Sequence, residues 1–202
     1  EEIFQFITPP QKLTPNASNI TLEFENGLPV SISGDRKSPA QILQSLNEIG
    51  GRHGIGLVDL VEERVNGIKS RGIYETPGGT LIFKALQGLK QICWGREVFG
   101  TASYLGNLYA NLVYDGLWHS DARTNIEAYF SEAGNRLTGS VGLKLINGQV
   151  IITHRKSPHS LYNQQMVSFE EDEYGINKAA KDYCQVLNYS QWQAGKTNQP
   201  EL

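Results

Sequence analysis

Residues 58–77, VDLVEERVNGIKSRGIYETP, carry a carboxylate, Glu62, and a phenol, Tyr74, twelve positions apart with a glycine-punctuated segment between them. Brought together, two such groups can grip a small zwitterion. The carboxylate takes the ammonium, while the phenol adds a hydrogen bond and an apolar wall. Residue types alone leave a plainer alternative open, with Glu62 as a surface ion-pair partner and Tyr74 as a packed loop anchor. Lys69 and Arg71 lie in the same stretch without an assigned role; ordering of the loop through ion pairs, or contact with a partner domain, is expected of them.

Other candidate chemistry is weaker. Ser33-Gly34-Asp35-Arg36-Lys37-Ser38 sits between a strand and a helix, where phosphate loops occur, but its spacing is wrong for one and a turn followed by a cap is the ordinary reading. His53, His119, His154 and His159 do not pair at the i, i+4 spacing and have no cysteine beside them, so no metal site is expected. No G-x-S-x-G elbow is present for a serine hydrolase. Arg155-Lys156-Ser157-Pro158 leaves a hairpin as an exposed basic pair; anion or carboxylate binding and a solvated hairpin end are both open.

The elements that must position these residues alternate irregularly. Ile20, Leu22 and Phe24 alternate with polar residues, Asn26-Gly27 supplies a turn, and Val30 and Ile32 resume the alternation, which predicts a β-hairpin. Ser38-Pro39-Ala40-Gln41 reads as a capping box with proline at the first helical position, opening a helix to Gly50-Gly51. A strand is expected over 55–62, then an irregular, extended excursion, then a helix capped by Thr76 and running to about residue 93. Helices follow over 101–115 and 120–135, a second hairpin about Asn147-Gly148 over 137–155, and a final helix near 177–193 ending at Gly195. This order predicts an α+β domain, with helices packed on a mixed or antiparallel sheet and a C-terminal helical segment. The expected divisions are a linker or cut end over 1–18, the domain over 19–176 and an oligomerisation segment over 177–202.

Composition narrows the classes. With 39% hydrophobic residues in a chain of 202 there is material for a real core. A net charge of −3 gives no general attraction for polyphosphate, so nucleic acid is not an expected partner. The sequence has neither a long apolar run nor a signal-peptide pattern, and Cys93 and Cys184 lie far apart, so no membrane partner and a reduced, cytoplasmic compartment are expected. Asn16-Ala17-Ser18 and Asn188-Tyr189-Ser190 are then chance matches to the glycosylation sequon.

The longer stretch GGRHGIGLVDLVEERVNGIKSRGIYETPGGT resembles the signature region of the argininosuccinate synthases, in which G-x-G-x-x-D-x-V-E-x-R leads into G-x-K-S-R-G-x-Y-E-T-P. Lys37-Ser38-Pro39, LVYDGLWHS, LTGSVGLKLINGQV and RKSPHSLYNQQMVSF resemble the family too, in order, so the resemblance covers essentially the whole chain. It implies a carbon–nitrogen ligase of arginine biosynthesis and the urea cycle that joins citrulline to aspartate. The citrulline ureido oxygen attacks the α-phosphorus of ATP, pyrophosphate leaves, and the aspartate amine displaces AMP. By the same resemblance Glu62 and Tyr74 contact citrulline. ATP, with magnesium, is held mainly by an N-terminal nucleotide domain whose S-G-G-x-D-T-S loop does not occur in this sequence, and family members are homotetramers. The resemblance is therefore to the C-terminal half, which is expected to be inactive alone and to need that domain as partner. A free-standing, non-catalytic citrulline-binding module and a purely structural oligomerisation domain are the alternatives. Glu63 stands where the family usually has Asn, and Cys93-Trp94-Gly95-Arg96 replaces a stretch that usually has an acidic residue before the arginine.

Overall fold

The computed structural model describes residues 4–13, 16–164, 176–190 and 192–193. The chain divides into two compact units, Glu1–Tyr162 and Asn163–Leu202. The first is built on a five-stranded sheet in which residues 35–36, 28–32, 18–25, 139–146 and 149–156 lie side by side in that order, every neighbouring pair antiparallel. Strand β1 (Ser18–Glu25) turns through Asn26 and Gly27, at φ 50° and 82°, into β2 (Leu28–Ile32). A second turn at Ser33-Gly34 leads to the short β3 (Asp35–Arg36). β6 (Gly139–Ile146) and β7 (Gln149–Lys156) close about Asn147-Gly148, at φ 48° and 76°. These left-handed pairs match the twist of the flanking strands, which is why Asn-Gly marks both hairpins.

One sheet face is apolar. Across β1 and β6, Ile20 faces Leu143 and Leu22 faces Val141. Onto that face pack α1 (Pro39–Arg52), through Ile42 and Leu46, and α2 (Pro77–Cys93), through Leu81, Ala85 and Leu89. The expected capping box opens α1, with Gln41 N–H donating to Ser38 Oγ and Ser38 N–H to Gln41 Oε1. At α2 the expected cap is replaced. The Thr76 hydroxyl donates to the Gly56 carbonyl at 3.3 Å, and the orphan N–H of Gly78 is satisfied from α1 by Asn47 Oδ1 at 2.8 Å.

Helix α3 (Arg96–Tyr114) starts earlier than expected, capped by Gly95, and runs through Gly100. A glycine inside a helix costs about 1 kcal/mol, but Phe99 set edge-on against Trp94, with centroids 6.4 Å apart, holds the first turn in place. Ala102 is the only α3 residue that is buried, leaving Tyr104, Leu108, Val113 and Tyr114 exposed. In α4 (Asp121–Gly134), Ser120 Oγ accepts the N–H of Arg123 at 3.3 Å. The Arg123 guanidinium stacks on Trp118 and pairs with Glu127.

Residues 5–8 dock onto this unit. A single carboxylate, Glu75, accepts the backbone N–H groups of Gln5, Phe6 and Ile7 at 3.0, 2.8 and 2.8 Å, and Thr8 N–H donates to the Gly51 carbonyl at 2.8 Å. Burial pushes the Glu75 carboxyl up, but the three N–H groups outweigh it and hold the carboxyl below the ordinary range. A carboxyl so held binds fewer protons in the folded chain than in the unfolded one. Its contribution is full above the ordinary glutamate value, about 4.3, and is lost as the pH falls through the lower native value. Glu75→Gln is accordingly expected to melt at a lower temperature than the wild type at neutral pH, with the gap narrowing on acidification below about pH 4. Thermal melts of both proteins over that range measure it.

In the second unit, α5 (Ile176–Leu187) exposes Tyr183, Val186 and Leu187, and beyond it the Tyr189 and Trp192 rings lie 6.2 Å apart. Gly195, the expected end of the final helix, lies outside the described residues, as do residues 165–169 of the RKSPHSLYNQQMVSF motif.

Candidate functional site

The stretch expected to be irregular is a strand. β4 (Leu57–Glu63) and β5 (Lys69–Glu75) form a two-stranded antiparallel sheet apart from the main one, with Val58 facing Tyr74, Leu60 facing Gly72 and Glu62 facing Ser70. Residues two apart on a strand share a face. Glu62, Ser70, Gly72 and Tyr74 therefore lie on one face, and Asp59, Glu63, Lys69 and Arg71 on the other.

The tip is a tight turn. Gly67 N–H donates to the Arg64 carbonyl at 2.7 Å, and the Asn66 side chain accepts Ile68 N–H at 3.1 Å. On the charged face Lys69 pairs with Glu63 at 2.6 Å, and Arg71 forks onto both carboxylate oxygens of Asp59 at 2.8 and 2.6 Å. That hydrogen bond from Arg71, with its charge, holds the Asp59 carboxyl below its usual range. Both cations are thus engaged inside the hairpin.

On the opposite face the Tyr74 hydroxyl donates to Glu62 Oε1 at 2.5 Å. The bond raises the phenol above its ordinary value, since losing the proton would leave two anions in contact. One phenol leaves most of the carboxylate's lone pairs available to an ammonium. The face is open, with Tyr74 42% exposed. It is flanked by the end of α3, where the Tyr114 hydroxyl donates to the Glu63 carbonyl at 3.4 Å.

Over residues 1–191 the sequence matches the family model described as Arginosuccinate synthase C-terminal domain. The chain belongs to the argininosuccinate synthase family. It is 41% identical over 189 residues to the argininosuccinate synthase of Caldanaerobacter subterraneus subsp. tengcongensis, and 40% identical over 189 residues to that of Thermoanaerobacter sp.. Each alignment covers 94% of this chain and 46% of the relative. Against the argininosuccinate synthase of Granulibacter bethesdensis it is 44% identical over 173 residues, 86% of this chain and 42% of that one. The chain thus spans slightly under half the length of these curated relatives.

Several of the remaining sequence candidates already have partners within the chain. In the Ser33–Ser38 segment, Arg36 pairs with Glu25 at 2.7 Å and Lys37 with Asp35 at 2.8 Å, so both cations are already held. Arg155 donates to Gln91 Oε1 on α2 at 3.0 Å, bracing β7 against that helix. His53, whose ring burial pushes below the usual imidazole value, lies 2.7 Å from Ser18 Oγ. Among the described residues no three His, Cys, Asp or Glu side chains converge on a point that could hold a metal ion. No described helix is long and apolar enough to cross a membrane.

Sequence reasoning missed Gly72, Glu75 and Tyr114. The glycine of R-G-x-Y stood in plain view but read as loop punctuation. Glu75 meets backbone groups about seventy positions away, and Tyr114 meets a backbone carbonyl, contacts that no residue pattern announces.

Proposed function

We propose that this chain is the citrulline-binding half of an argininosuccinate synthase, the cytoplasmic enzyme that joins citrulline and aspartate at the expense of ATP to give argininosuccinate, AMP and pyrophosphate. The observation that carries the reading is the Tyr74 to Glu62 hydrogen bond, on an exposed face, in a chain of this family. Glu62 takes the ammonium end of citrulline, and Tyr74 fixes the carboxylate that receives it. ATP supplies the activation when bound. We assign ATP and its magnesium to the part of the relatives that this chain does not span.

That division gives the residues here a positioning task. Anchoring citrulline at its amino-acid end holds the distant ureido oxygen in line for attack, and binding energy far from the reacting atoms is what orients them. An open face cannot keep water from an activated intermediate. We therefore assign the missing walls of the site, and the contacts to aspartate, to an N-terminal nucleotide-binding domain of the same protein. The exposed apolar residues of α3 and α5 support a homotetramer, because unburied Tyr, Leu and Val along a helix are surface that a second copy can cover.

Calorimetric titration of citrulline into the chain, beside Tyr74→Phe, tests the reading. Loss of the hydroxyl that orients the Glu62 carboxylate is expected to weaken binding about two- to tenfold. Binding by this chain alone is also what the second reading, a non-catalytic citrulline-binding module, requires, and the clamp already formed here favours keeping it in view. Supplying the nucleotide-binding domain with ATP and aspartate separates the two, because only the synthase reading expects argininosuccinate to appear. Citrulline binding that Tyr74→Phe leaves untouched would sink both.

A further inference from the structure

We infer that Gly72 is a positioning residue for this site, the absence of its side chain being the space through which the Tyr74 ring reaches Glu62; its effect on substrate rests on the citrulline reading above. The register sets the problem. Tyr74 faces Val58, whereas Glu62 faces Ser70, so four positions of β5 separate the two ends of the hydrogen bond. At about 3.3 Å per residue that is roughly 13 Å of strand. A side chain standing perpendicular to the sheet, as strand side chains ordinarily do, does not bridge such a gap. The Tyr74 ring must lie back along the strand.

Position 72 is the one it lies across, two residues away on the same face. A Cβ added there would fall 2.5 Å from Tyr74 Cε2, 2.7 Å from Cζ and 2.7 Å from the hydroxyl oxygen itself. Backbone freedom is not what this position requires, since Gly72 is absent from the positive-φ glycines and an L residue can adopt its conformation. Glycine in a strand interior weakens the strand. What it provides here is room for the ring. The atoms in the way belong to a half-exposed side chain that can swing outward, so the clash is relieved by breaking the Glu62 bond and not by unfolding the hairpin.

The test uses the chain labelled with carbon-13 at tyrosine Cζ, the Tyr74 resonance being assigned by its disappearance in Tyr74→Phe. In otherwise wild-type protein, Glu62→Gln is expected to displace that resonance, because the acceptor of the phenol changes. In the Gly72→Ala background the displacement is expected to vanish, with a melting temperature equal to or above that of the wild type. Gly72→Ala should weaken citrulline binding by the same factor as Tyr74→Phe, about two- to tenfold. A displacement that persists in Gly72→Ala, or that never occurs in the wild-type background, overturns the inference. If Gly72→Ala melts early, Gly72→Ala with Tyr74→Leu decides: recovery of the melting temperature upholds the contact with the ring, and no recovery overturns it. Citrulline affinity unchanged by Tyr74→Phe would remove the substrate reading alone, leaving the resonance experiment to decide the geometry.

Discussion

Glu62→Gln is expected to weaken citrulline binding by roughly ten- to a hundredfold, equivalent to about 1.5–3 kcal/mol for a hydrogen bond to a charged group. The substitution keeps the size of the side chain and one acceptor oxygen, so the Tyr74 hydroxyl still finds a partner; only the charge that an ammonium would meet is gone. The effect should therefore exceed that of Tyr74→Phe, which removes a neutral donor and leaves the carboxylate in place. It should also leave the fold alone, because Glu62 lies outside the core and its hairpin is tied by Asp59–Arg71 and Glu63–Lys69 on the other face. Calorimetry with matched thermal melts checks both parts. If Tyr74→Phe does more damage than Glu62→Gln, the ammonium is not held by Glu62.

Phe24→Ala should unfold the protein far more readily, lowering stability by about 3–5 kcal/mol. Phe24 is 1% exposed, the largest of the fully buried side chains among the described residues, and sits at the end of the β1 stripe that also buries Leu22 and Ile20 against the helices. Removing the ring loses its transfer from water and leaves a cavity that two antiparallel neighbours, β2 and β6, prevent from collapsing. Urea unfolding gives the value, and a loss under 1 kcal/mol, well short of the usual range, would mean the sheet face repacks. This variant also serves as the counterpart of Glu62→Gln: one should move stability, the other affinity.

Much of the scaffold was legible because its signals are local. Asn26-Gly27 and Asn147-Gly148 announced the β1–β2 and β6–β7 hairpins of the main sheet, and Ser38 with Gln41 announced the start of α1. β5 was not legible, for a physical reason. Lys69, Arg71 and Ile73 take one face and Ser70, Gly72 and Tyr74 the other, so neither face carries the apolar alternation that marks a strand. Its strand character comes from pairing with β4 and from ion pairs across the hairpin, both of which depend on where β4 lies. The same holds for Thr76, whose hydroxyl was drawn to the Gly56 carbonyl by the approach of the preceding loop. At the site, the residue types pointed to Glu62 and Tyr74 as one unit. They did not reveal that the glycine between them is what lets them touch.

The margins of the five-stranded sheet bear on how the protein behaves when crowded. Among the described residues the sheet stops on one side at β3, two residues long and made of Asp35 and Arg36, and on the other at β7, which runs out through His154, Arg155 and Lys156. An unpaired strand is a template for a stray chain, and proteins blunt it with brevity and charge. Here one border is too short to template anything, and the other carries basic side chains over its last three residues, beyond Val150, Ile151 and Ile152. Extension of the sheet by a stray strand, the first step towards fibrils, is thus discouraged at the β3 border and along the basic end of β7.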